Sequence, residues 1–89
     1  MTVTEGIRNF VDKNSQYKLC ENYTARDMEG TTCLGVVVKA EDSFMDFLFR
    51  LTQYLEEQEV DDVDLELEGV SYDLSGLDTI VYFPNIKGR

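Results

Sequence analysis

The sequence has no histidine and no tryptophan, a single proline, two cysteines and eight basic residues among its 89. The missing histidine removes the commonest general base, the commonest metal ligand and every Ser-His or Cys-His nucleophile pair. Two cysteines without histidine do not complete a four-ligand zinc site. The six glycines, at positions 6, 30, 35, 69, 76 and 88, spell neither a P-loop nor a dinucleotide-binding fingerprint, so no phosphate cradle is written here. No run approaches the roughly 20 apolar residues of a membrane span, and MTVTEGIRNF lacks the basic-then-apolar order of a signal peptide. These absences point to a cytoplasmic protein that uses no membrane, metal or cofactor and keeps Cys20 and Cys33 reduced. The Asn22-Tyr23-Thr24 sequon is idle in that setting.

Basic residues are the scarcity with the most consequence. Eighteen acids against eight bases give a formal charge of −10. Residues 51–86 hold ten acids and no Lys or Arg, whereas residues 1–50 hold eight acids and six bases. Such a surface repels nucleic acid and anionic lipid, and its electrostatic complement is a basic protein surface.

What is present argues for a folded module. A hydrophobic fraction of 43% with five Tyr and five Phe is far from the aromatic-poor composition of disordered chains. The length allows one compact domain over residues 1–89 and no deep substrate pocket. Thr2 and Glu5 have capping-box spacing, and Val3, Ile7, Phe10 and Val11 recur at helical intervals, which predicts a helix ending near Lys13. Residues 17–23 and 31–39 read as strands of a hairpin around the polar turn ARDMEG. Pairing Leu19 with Leu34 places Tyr17, Leu19, Leu34, Val36 and Val38 on one face, with Cys20 opposite Cys33 on the other.

Ser43 with Asp46 repeats the cap signal, and Phe44, Phe47, Leu48, Leu51, Tyr54 and Leu55 predict a helix over about residues 43–58. Met45 and Phe49 widen its apolar sector and read either as core or as an apolar contact patch. From residue 60 the period becomes two, with Val63, Leu65 and Leu67 alternating against acids, which predicts a half-buried strand. Residues 70–74 add a possible hairpin strand after Gly69, and residues 79–83 a further strand stopped by Pro84, leaving residues 85–89 as a loose tail. The fold class is α+β: an antiparallel sheet of about four strands in the order α-ββ-α-ββ, with two helices on one face.

Asp62-x-Asp64-x-Glu66, with Asp73 twelfth, has the outline of a calcium loop, but Leu67 stands where that loop needs glycine. On a strand, Asp62, Asp64, Glu66 and Glu68 would instead stand about 6.6 Å apart, a pitch comparable to the spacing of phosphates along a nucleic-acid backbone. Glu56, Glu57, Glu59 and Asp61 add rows at one edge, and Tyr54, Tyr72 and Tyr82 are candidate aromatic anchors. A solvated acidic face is the plain alternative, and it is weakened by the absence of any interspersed Lys or Arg over residues 51–86.

Residues 78–84, DTIVYFP, resemble the aromatic-aromatic-proline segment of bacterial immunity proteins that neutralise nuclease toxins and are likewise small and acidic. Those proteins are helical bundles, whereas residues 34–38 and 62–68 here call for strands, so the resemblance implies a class of activity and neither fold nor residues. The sequence therefore leads to two expectations, neither of them an enzyme. One is a stoichiometric inhibitor that mimics phosphate in the groove of a cationic nucleic-acid-handling protein. The other is a homodimer or adaptor that uses Met45, Phe49 and a strand edge, with the charge serving solubility.

Overall fold

A computed structural model describes residues 1–26, 30–39 and 42–88. The element order is α1 (Val3–Lys13), β1 (Tyr17–Tyr23), β2 (Cys33–Lys39), α2 (Phe44–Glu57), a single helical turn α3 (Val63–Glu66), β3 (Ser71–Ser75) and β4 (Asp78–Phe83). The four strands form one antiparallel sheet in the order β1-β2-β4-β3. This is the α+β class and the α-ββ-α-ββ order that the patterning calls for. No described helix is long and apolar enough to cross a membrane.

Both long helices start where their caps dictate. Thr2 accepts from the Glu5 N–H at 3.1 Å while the Glu5 carboxylate accepts from the Thr2 N–H at 3.0 Å, so two otherwise orphaned donors are satisfied. These bonds, the one from the Thr2 backbone first, hold the Glu5 carboxyl below its usual range. Ser43 caps α2 through the Asp46 N–H at 3.0 Å.

Period then decides what is buried. Val3, Ile7, Phe10 and Val11 of α1 meet Phe47, Leu51 and Leu55 of α2 over Tyr17, Leu34, Val36, Val38, Val81 and Phe83, which alternate along the strands. Phe10, Tyr17 and Phe47 pack ring against ring with centroids 5.0–6.0 Å apart. Gly6 lies so close to Leu55 that a Cβ there would overlap its side chain.

The other sheet face carries a smaller cluster of Ala25, Cys33 and Tyr82 with Tyr23 packed against it. Here the register departs from the sequence pattern. Leu19 pairs with Val36 and Cys20 with Gly35, and a bulge between Cys20 and Tyr23 then brings Tyr23 opposite Cys33. The cysteines share a face as expected but are not opposed. Gly35 lacks the Cβ that would crowd Tyr23 at 3.2 Å, so the tyrosine can lie across the sheet. Its hydroxyl donates to Asp73 of β3 at 2.6 Å. Desolvation, then that hydrogen bond and the adjacent charge, hold the Tyr23 hydroxyl well above the ordinary tyrosine range.

Two further expectations are corrected. Residues 62–68 are not a strand, and the last hairpin is β3–β4, closed by Gly76-Leu77 with Gly76 at φ +62°, as a type II′ turn requires. Residues 85–88 are docked: Ile86 is buried in the main core, its carbonyl accepts from the Leu34 N–H at 2.9 Å, and Gly88 lies against the Glu21 carbonyl.

Candidate functional site: an uncompensated acidic face

The acidic segment begins at the end of α2. The Val60 N–H bonds back to the Leu55 carbonyl at 3.1 Å and the Glu59 N–H to the Glu56 carbonyl at 3.0 Å, the paired bonds of a Schellman motif. Its left-handed position normally belongs to glycine. Here it is Glu59, at φ 54°. Val60 then turns inward against the core, as the hydrophobic contact of that motif does.

Asp62 is a second non-glycine residue in the left-handed region, at φ 62°. It starts α3, where the Glu66 N–H bonds to the Asp62 carbonyl and the Leu67 N–H to the Val63 carbonyl. Val60, Val63, Leu67 and Val70 all pack on the core. Their spacing of three, four and three residues is helical, and it competes with the alternation of Val63, Leu65 and Leu67 that suggested a strand. Leu65 is the residue the alternation misplaces, and it is 67% exposed. The Asn85 side-chain amide fastens the turn by donating to the carbonyls of Leu65 at 3.3 Å and Glu68 at 3.0 Å.

The expected ruler of carboxylates is therefore absent. Successive alternate residues on a helical turn diverge by about 200°, so Asp62, Asp64, Glu66 and Glu68 cannot line one strand face. What remains is a run of solvated acids along the chain: Glu56, Glu57, Glu59, Asp61, Asp62, Asp64 and Glu68 are exposed and Glu66 is half-buried. Among the described residues none of these eight has an ion-pair partner; Arg8 pairs at 2.8 Å with Glu21, in another part of the molecule. Glu56 and Glu57 also stand in the last turn of α2, which contains no base, where the helix dipole disfavours negative charge. No group of three or more Cys, Asp or Glu among the described residues is disposed to hold a metal ion.

The aromatic candidates separate. Tyr82 is buried, and Tyr54 is half-buried with its ring 5.5 Å from that of Phe10 and the Lys13 ammonium 5.3 Å from its centroid. Tyr72 is 46% exposed and packs on Phe44 with centroids 4.9 Å apart. Met45 and Phe49 are 66% and 69% exposed, so they are not core. With Thr52 and Glu56 they form an i, i+4, i+7, i+11 stripe on the flank of α2 turned away from α1, and a shallow depression there is lined by Phe49, Thr52, Gln53 and Glu56. Composition gave no sign of the Tyr23–Asp73 bond, which joins residues 50 positions apart.

The chain matches no family model, no curated protein and no solved structure.

Proposed function

We propose that the chain is a stoichiometric binding protein that inhibits a cationic nucleic-acid-handling protein by seating its acidic face, residues 56–68, in the basic groove. One observation carries the reading: these acids stand where stability alone would not put them. Glu59 occupies a glycine position, Glu56 and Glu57 face the negative end of a helix, and no described base neutralises any of the eight. The left-handed Glu59 side chain costs about 1–2 kcal/mol and each charge at the helix C-terminus a few tenths to about 1 kcal/mol, and a cationic partner relieves the electrostatic part. Mimicry here is one of charge density on a curved surface, because the strand pitch that would have matched phosphate spacing is gone. Encounter is accelerated by long-range attraction, and residence time is set by the contacts that become buried.

The test is competition. The wild-type chain and an Asp61→Lys, Asp62→Lys, Asp64→Lys variant are used to capture binding proteins from cells, and each recovered protein is titrated with duplex DNA and with RNA. The proposal expects capture that fades steeply with salt, that the variant loses, and that nucleic acid displaces. Equal capture by both chains sinks it.

A second reading, a homodimer or adaptor, is favoured by the exposure of Met45 and Phe49. A Phe49→Asp variant separates the two, since it abolishes a salt-resistant complex and leaves a charge-driven one in place.

A further inference from the structure

The two edges of the sheet are treated differently. The β1 edge carries a bulge, an exposed lysine (Lys18) and the C-terminal tail against Glu21, the usual devices that stop further strands from adding. Among the described residues the β3 edge has none of them. Its five residues contain no proline, lysine or bulge, and it pairs in unbroken register with β4 alone.

Hydrogen-bond geometry identifies which groups it offers. Ser75 and Asp78 flank the two-residue hairpin loop and so form a hydrogen-bonded pair, which turns the backbone groups of Ser71, Asp73 and Ser75 toward β4. Those of Tyr72 and Leu74 point outward. The same two side chains stand on the helix face of the sheet, where Tyr72 is 46% and Leu74 67% exposed, on the side of the molecule to which Met45 and Phe49 of α2 also turn.

We infer that β3 is a strand-addition site for an extended segment of a partner that alternates apolar and basic residues. The apolar positions lie beside Tyr72 and Leu74, and the basic positions lie on the opposite face beside Asp73, one of whose carboxylate oxygens already accepts from the Tyr23 hydroxyl and the Arg26 N–H. Charge complementarity selects this occupant over a second copy of the chain. The antiparallel pairing that matches Tyr72 with Leu74 of another copy sets Asp73 against Asp73, and each copy carries −10. By contrast, the hairpin itself carries two acids, Asp73 and Asp78, and no base, within a stretch, residues 51–86, of ten acids and no Lys or Arg, which favours an incoming cationic strand. The inference rests on the reading of the chain as a binder of cationic proteins, and it adds main-chain hydrogen bonds as a second recognition element.

Amide hydrogen exchange tests it with defined probes. An alternating Lys-Val octapeptide, added at roughly millimolar concentration, is expected to slow exchange at the Tyr72 and Leu74 amides by roughly tenfold or more. A Glu-Val octapeptide is expected to leave them unchanged. So is a Lys-Val peptide N-methylated on the amides that would pair, a control that leaves the protein's sequence intact. In a Leu74→Pro variant, whose proline replaces an outward-pointing N–H, protection at Tyr72 is expected to vanish. If the Lys-Val peptide perturbs residues 56–68 without protecting Tyr72 and Leu74, strand addition is wrong and the acidic-face reading survives. Equal protection by the Glu-Val peptide overturns the basic chemistry of the occupant. Light scattering that finds a dimer in which both amides are protected without peptide assigns the edge to a second copy and overturns the inference.

Discussion

Replacing Glu59 with glycine is expected to make the free protein more stable while weakening the binding proposed for its acidic face. The residue sits at φ 54° in the Schellman position of α2. A side chain in that region costs about 1–2 kcal/mol, from which glycine's greater freedom in the unfolded chain subtracts about 0.5–1 kcal/mol. Removing an exposed charge at a helix C-terminus among unpaired acids returns roughly 0.3 kcal/mol at low salt. The net gain is about 1 kcal/mol, or a rise in Tm of roughly 5 °C for a domain of this size. Glu59→Ala separates the components, because it removes the charge and keeps the backbone conformation. Urea unfolding of the three chains at low and high salt is the assay. The Gly-minus-Ala difference is expected to be independent of salt, and the Ala-minus-wild-type difference to shrink as salt rises. If Glu59→Gly is no more stable than Glu59→Ala, the backbone is not strained there, and the claim that stability has been given up at this position fails.

Other perturbations follow from the same geometry. Ile86→Ala should cost about 2–3 kcal/mol in denaturant unfolding, since its side chain is buried in the main core and not in a loose tail. Thr2→Ala should remove about 1 kcal/mol by breaking the capping box, visible as lower helix content and lower Tm. Tyr23→Phe should cost about 1 kcal/mol at neutral pH by removing the shorter of two hydrogen bonds to Asp73, the other being a 3.4 Å bond from the Arg26 N–H. The folded-state pKa of Tyr23 is raised. Its contribution is therefore whole below the unfolded tyrosine value of about 10 and is lost as pH rises beyond it. The stability gap between wild type and Tyr23→Phe should then close between neutral and strongly alkaline pH, and a gap that stays constant or widens would contradict that linkage.

What could be read from the sequence was local. The caps at Thr2 and Ser43 sit within three residues of their partners, so α1 and α2 were legible to within a residue or so at each end. Alternation assigned Tyr17, Leu19, Leu34, Val36 and Val38 to the correct face, but misplaced Tyr23 and the register. That depends on a bulge after Cys20 and on room made by Gly35 for a tyrosine that reaches Asp73. The acidic segment misled because Val63 and Leu67 satisfy both a period of two and a helical spacing. Only the inward packing of Val60 and Val70 and the clamp from Asn85 decide for the helix. The eight acids were named from charge and from strand alternation; seven are exposed and Glu66 is half-buried, but the pitch assigned to them required a strand.

The strand order has a consequence for how the chain becomes folded. β2 lies at the middle of the sheet, and its second neighbour, β4, begins 39 residues after β2 ends, beyond α2, α3 and β3. Until residues 78–86 arrive, Val36 and Val38 have no strand to receive their backbone groups on that side, and the Leu34 N–H lacks the Ile86 carbonyl. The first half, α1-β1-β2-α2, thus has its helices and one hairpin but not the central pairing that closes the core. Folding should be limited by this late, long-range closure. Substitutions in β4, such as Val81→Ala, are then expected to slow folding in stopped-flow measurements, while those on the β3 edge, which can settle after the closure, chiefly speed unfolding.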